Sequence, residues 1–176
     1  ASSNIIKHFF SPKKEIDFNN IQGITSSYKH SVYANYRNSK MAFLMLTLML
    51  AEKYENDRVK FYSLQINGAR MSKNTLKKFK PGWRFIARIQ NLFFPHPSYM
   101  ANNYYEICIS EKYKNVTGTH FNDKLEAMQK GPEQPSLKDI IGKSVYPAYA
   151  HRIDIQEKVM RLCKELASKH LALESL

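Results

Sequence analysis

Glycine, cysteine, tryptophan and acidic side chains are all scarce in this sequence. Six glycines and seven prolines among 176 residues leave no low-complexity tract, and no internal repeat is visible, so collagen-like, linker-rich and solenoid architectures are excluded. Two cysteines, Cys108 and Cys163, are too few for a disulfide framework. Both stand in apolar helical contexts and are expected to be free, buried thiols. No Cys-x-x-Cys pair or histidine cluster has metal-ligand spacing. The longest apolar run, Met41 to Ala51, falls far short of the roughly 20 residues a membrane-spanning helix needs, and no secretory signal is visible. The sequence begins Ala1-Ser2-Ser3 without an initiator methionine, so the expectation is either processing or a start that lies upstream.

Acids are short in a particular place. Lysine and arginine outnumber aspartate and glutamate by 27 to 15, a net charge of +12, and none of those acids falls between Asp57 and Glu106. Arg58, Lys60, Arg70, Lys73, Lys77, Lys78, Lys80, Arg84 and Arg88 all lie in that interval. A local basic surface favours an anionic neighbour: a phosphate-bearing cofactor, an acidic membrane surface, nucleic acid or an acidic chain.

Apolar residues make up 43% of the sequence, enough for a core. Residues 1–30 read as the end of a strand followed by a long polar loop. Residues 34–55 read as a helix whose centre, 41–51, is apolar all round, which predicts burial on every side and a subunit contact. Val59–Ile66 alternates and is rich in β-formers, so it reads as a strand ending in an Asn67-Gly68 turn. A short basic helix over 71–80 is expected to break at Pro81-Gly82. An amphipathic segment follows to Phe94, with Trp83, Ile86, Ile89, Leu92 and Phe93 on one side. Residues 97–111 read as a helix with tyrosine and isoleucine at core spacing. Gly118–Phe121 is a short strand, 125–150 is loop-rich, and Ile155, Val159, Leu162 and Leu166 mark a final amphipathic helix to about residue 173. The order of elements is α/β. Three short strands give the apolar helix little to pack on, which predicts that part of the fold is missing or supplied by another chain.

Tyr36-Arg37-Asn38-Ser39-Lys40 is the constellation with chemistry in it. On a helix, positions i and i+4 share a face. An ammonium beside a phenol favours the phenolate, and such a tyrosine can exchange a proton during alcohol–carbonyl interconversion. A nearby serine hydroxyl could hydrogen-bond the substrate oxygen. Taken alone, the pattern also describes an ordinary exposed helix pair.

With its context the chain resembles the short-chain dehydrogenase/reductase family, nearest the retinol dehydrogenase and WW-domain oxidoreductase group. Ala1-Ser2-Ser3 resembles the end of the strand carrying that family's catalytic serine, with Ser3 in its place. Ile16–Ile21 resembles the group's insertion, and Ser39-Lys40-Met41-Ala42 is close to the family's Ser-Lys-x-Ala. Gly118–Asp123 resembles the Gly-x-Tyr-Phe segment near the last strand. The resemblance runs from residue 1 to about 130, and more loosely through the final helix. It implies the C-terminal portion of a Rossmann-type doubly wound parallel sheet whose first βαβ, the cofactor-binding half, is missing. Residues 1–123 would be the catalytic and substrate half, and 124–176 the C-terminal loop and helix.

The family's chemistry is hydride transfer to or from a carbonyl of a small lipophilic substrate, with NAD or NADP as cofactor. Tyr36 would be the acid/base, Ser3 the partner of the substrate oxygen, and Lys40 the holder of the ribose hydroxyls. Asn67, Gly68 and Ser72 would line the nicotinamide. The helix at 41–51 corresponds to the family's dimer contact. Residues 73–94 would form a substrate lid, or meet a membrane surface or acidic partner through their aromatic residues and cations. No nucleic-acid motif accompanies that patch. His96, between Pro95 and Pro97, reads as a loop residue, and His30, His120 and His151 show no partners at catalytic spacing.

The sequence departs from the family in three places. No glycine-rich strand–turn–helix occurs, so no pyrophosphate cradle is present. The family's Pro-Gly is Asn67-Gly68, preceded by Ile66 instead of histidine. The expected threonine is Ser72. The chain would then be part of a longer dehydrogenase, half of a split one, or a non-catalytic structural subunit of a large assembly, for example a mitochondrial one.

Overall fold

A computed structural model describes residues 1–21 and 31–174. The remainder of the polar loop, His30 included, lies outside the described residues. Three parallel strands form the main sheet: β1 (Ser2–Ser3), β2 (Tyr62–Ile66) and β3 (Thr119–Phe121), in that spatial order. Ser2 pairs with Gln65 and Ser3 with Ile66, while Ser63 lies opposite His120 and Leu64 opposite Phe121. Parallel neighbours need crossover connections. Helix α1 (Val32–Lys53) makes the first, and α2 (Lys73–Lys77), α3 (Pro81–Phe93) and α4 (Pro97–Ile109) make the second. The protein is therefore an α/β structure with a small parallel sheet. Beyond β3, strand β4 (Gln129–Lys130) pairs in parallel with β5 (Val145–Tyr146), α5 (Leu137–Ile140) lies between them, and α6 (Ile153–Glu174) closes the described chain.

Local chemistry explains the helix starts. Ser31 caps α1 by accepting the Ala34 N–H at 3.2 Å, and Ser72 does the same for α2 with Thr75 at 3.1 Å. Pro81 and Pro97 occupy the first turns of α3 and α4, where a missing N–H costs nothing. Pro81-Gly82 thus starts a helix, whereas the sequence suggested only a break.

The two faces of the sheet are covered differently. Leu64 and Phe121 join Ile107 of α4 and Tyr113 in one apolar cluster. The other, larger cluster joins Met41, Leu44 and Met45 of α1 to Ile6, Phe9, Tyr146, Tyr149, Ile155 and Val159. Each such fully buried aliphatic side chain contributes about 1.5–3 kcal/mol.

Several sequence expectations need correction. The 41–51 segment is not buried on every side: Phe43 is 42% exposed, and Leu46, Leu48, Met49 and Leu50 are half-buried. Nor does it lack partners within the chain, because α6 and the 3₁₀ segments Asn4–Phe10 and Ala148–His151 supply them. Periodicity within 31–54 could not reveal elements contributed from 100 residues away. Cys108 is exposed rather than buried, and Cys163 is half-buried; both are free. The buried positions of α4 are Met100, Asn103 and Ile107, while Tyr99, Tyr104 and Tyr105 face solvent. The polar start holds 3₁₀ turns at Asn4–Phe10 and Phe18–Asn20, and the loop-rich 125–150 region contains β4, α5 and β5.

Candidate active site

The crossover geometry decides where the singled-out residues lie. The chain leaves β1 at Ser3, and α1 returns it to the start of β2, so the first turns of α1 belong to the carboxyl edge of the sheet. The far end of α1 confirms this. Ala51 stands where a Cβ on Gly118, the residue just before β3, would meet it at 3.2 Å, and Tyr54 stacks on Phe61 just before β2. Gly118 itself has φ +66°, a backbone state in which a side chain is strained. Ser3, Asn67 and the early turns of α1 therefore share the carboxyl edge, where open α/β sheets bind ligands.

Tyr36 and Lys40 do come together. The Lys40 ammonium lies 5.5 Å from the centre of the Tyr36 ring, over its face, which is a cation–π arrangement. The ammonium also donates to the Ala1 carbonyl at 3.2 Å, tying α1 to the β1 segment. The Tyr36 ring is 45% exposed. Ser39 donates to the Tyr36 carbonyl at 2.9 Å, so its hydroxyl serves the helix. One turn earlier, on the same helix face, the Tyr33 hydroxyl bonds His8 Nε2. Sequence reading did not single out this pair, because His8 lies in a segment read as loop.

Ser3 is half-buried, and its hydroxyl accepts the Ile5 N–H at 3.4 Å as the cap of the first 3₁₀ turn. Asn67 is close by through the Ser3–Ile66 register. Its carboxamide oxygen accepts from Gln65 Nε2 at 2.9 Å and from Asn4 Nδ2. An amide relay thus links the ends of β1 and β2. No hydrogen bond joins the Ser3 and Tyr36 hydroxyls among the described residues.

The other two residues are occupied differently from expectation. A Cβ on Gly68 would meet the Phe94 ring at 2.8–2.9 Å, so Gly68 is needed for close approach of that ring. The Ser72 hydroxyl is committed to the α2 cap and to Thr75 Oγ1 at 2.9 Å. His96, read as a loop residue between two prolines, is the cap of α4, bonded to Ser98.

A second polar group lies inside the protein. Ser2, Ser63, Gln65 and His120 are all buried on one face of the sheet. Ser63 Oγ and His120 Nδ1 are 2.6 Å apart. The His120 ring meets Tyr146 edge-on at 5.5 Å, and the Tyr146 hydroxyl bonds His151 Nε2 at 2.9 Å. Burial lowers the His120 pKa from 6.5 to about 4, opposed by an interaction with the Ser63 backbone. The burial holds the imidazole neutral, and His120 Nε2, Ser2 Oγ and Gln65 Oε1 have no hydrogen-bond partner among the described residues. Strand alternation at 62–66 was the signal for this face, with Ser63 and Gln65 at its inward positions. Among the described residues, no group of histidine, cysteine and carboxylates could hold a metal ion.

No protein-family model, curated protein or solved structure matches this chain. The fold and site define its class as an α/β protein with a tyrosine–lysine pair at the carboxyl edge of a parallel sheet.

Proposed function

We propose that the chain is the catalytic and substrate-binding part of a short-chain dehydrogenase/reductase, acting on a lipophilic alcohol or ketone. The observation that carries this reading is the placement of Tyr36 and Lys40 on the crossover helix that follows the Ser3 strand, at the edge where Ser3 and Asn67 end. The small parallel sheet is compatible with part of a Rossmann-type fold.

The fit to a nicotinamide cofactor is partial. Tyr36 and Lys40 are accessible enough to hold a ribose and share a substrate oxygen, whereas Gly68 is covered by Phe94, Ser72 is engaged as a cap, and no glycine-rich turn in this sequence could hold a pyrophosphate. When bound, NAD or NADP supplies or accepts the hydride. In the reducing direction the Tyr36 hydroxyl would give its proton to the carbonyl oxygen, and Ser3, whose Oγ accepts the Ile5 N–H, would orient that oxygen through its O–H. Lys40, whose ammonium lies over the Tyr36 ring face, would hold the ribose hydroxyls.

The experiment compares wild type with Tyr36→Phe in the protein as purified in its native assembly, with a long-chain alcohol and each cofactor. Loss of turnover with an unchanged melting temperature is expected; undiminished turnover would sink the assignment. The occupied Gly68 and Ser72 favour a second reading, a non-catalytic subunit of a larger assembly. It predicts no turnover and no cofactor-induced rise in melting temperature.

A further inference from the structure

Helices α2 and α3 close on one cleft of about 640 Å³, a size that suits a small organic ligand. Arg70, Lys73, Lys77, Arg84 and Arg88 all line it, and Met71 and Leu76, both half-buried, give it an apolar wall. Among the described residues no carboxylate lines this cleft. Lys73 and Lys77 stand one turn apart on α2, and Arg84 and Arg88 one turn apart on α3, so each pair shares a helix face. The ion pairs among the described residues involve none of the five cations. Like charges gathered without a counter-charge repel one another, and an anion seated among them removes that cost.

Two of the five are ordered in advance. Arg70 Nε donates to the Phe94 carbonyl at 2.8 Å, and the Arg70 backbone N–H donates to the Pro95 carbonyl at 2.9 Å. Arg84 donates through Nε to the Leu76 carbonyl at 3.1 Å, and through Nη2 to those of Lys77 and Phe79 at 2.8 and 3.0 Å. Asn91, also in the lining, ties α3 to the Met71 backbone with two bonds of 2.9 Å. These bonds leave both Nη groups of Arg70 and Nη1 of Arg84 without a partner among the described residues. A guanidinium whose arm is already fixed loses less entropy on meeting a ligand. Its remaining N–H groups match phosphate oxygens. A solvated lysine surface has no such fixed donors.

Five positive charges around one cleft call for more negative charge than a single carboxylate carries, and the apolar wall calls for a body attached to that charge. We propose that the cleft binds an organic polyphosphate. Its phosphate chain meets the arginines and lysines of α2 and α3, and its organic body rests on Met71 and Leu76. The site is independent of the oxidoreductase reading, because neither Tyr36 nor Lys40 lies in its lining.

Calorimetric titration of the full chain at about 0.15 M salt, where distant charges are screened, compares inorganic tripolyphosphate, ATP and geranyl diphosphate. One of the two organic ligands is expected to bind more tightly than tripolyphosphate, and which one tells an aromatic body from an aliphatic one. Lys73→Glu with Lys77→Glu should weaken that binding roughly tenfold or more. Both side chains are exposed, so melting should change little. Lys78→Glu with Lys80→Glu, equally exposed but outside the lining, should change affinity by less than about threefold. Tyr36→Phe should leave it unchanged. The proposal is overturned if none of the three compounds binds, or if tripolyphosphate binds at least as tightly as both organic ligands. It is equally overturned if the Lys73/Lys77 variant binds in full, if the Lys78/Lys80 variant loses as much, or if Tyr36→Phe abolishes binding.

Discussion

Ser63 Oγ and His120 Nδ1 meet at 2.6 Å across two parallel strands, in a position where His120 is 1% exposed. The imidazole is held neutral there, with a pKa of about 4 against an ordinary 6.5.

Between pH 6.5 and about 4 the unfolded chain binds a proton that the folded one does not. Stability from this group is therefore complete above 6.5 and is lost as pH falls toward 4. Going from about pH 7 to about pH 5 should cost about 2 kcal/mol. Urea unfolding of wild type and His120→Asn at both pH values checks this. The variant should be less stable at neutral pH and show a flatter pH dependence, and an equal slope in both proteins would rule the buried histidine out as its source.

Gly68 is a packing glycine. Gly68→Ala should destabilise by about 1–3 kcal/mol, since the Phe94 ring must move away. Phe94→Leu in the same chain should recover part of that loss, giving a non-additive cycle. Strict additivity in denaturant titrations would mean that the ring is not what Gly68 accommodates.

Arg84 binds three carbonyls at the end of α2 and the turn after it. Replacing it with methionine should loosen α2 and α3 locally and cost about 1 kcal/mol. Hydrogen exchange is the sensitive readout: amides of residues 73–93 should exchange faster, with the β2 and β3 amides unchanged.

Lys40 separates activity from stability. Its ammonium is held by one carbonyl and one ring face, so Lys40→Met should shift stability by less than about 1 kcal/mol. If the proposed chemistry holds, turnover should fall by a factor of about 100 or more. A parallel loss of folding and activity would make Lys40 a structural residue only.

Much of the element order was readable because it rests on local chemistry. The strand read over 59–66, the helix read over 34–55 and the α4 start at Pro97 follow from alternation, caps and fixed φ, whereas Pro81, where α3 starts, reads in the sequence only as a break. The face shared by Tyr36 and Lys40 follows from 3.6 residues per turn. The partners of α1 were not readable, because Ile6, Tyr149 and Val159 lie far along the chain and arrive only through tertiary packing. The fates of Gly68 and Ser72 were equally hidden: one depends on a ring 26 positions away, the other on which helix begins beside it.

Taken by itself, the sequence determined a basic α/β chain with a tyrosine–lysine pair on one helix face and a block of cations without acids. These are properties of spacing and composition. Only the tertiary structure decided which side of each element meets the core. It turned the polar side of α3 inward, because Arg84 and Asn91 satisfy backbone groups of 71–79 that no other described side chain reaches. The apolar side was thereby left to face outward, a direction that no amphipathic pattern can specify, since periodicity defines two faces without saying which one the rest of the protein will cover.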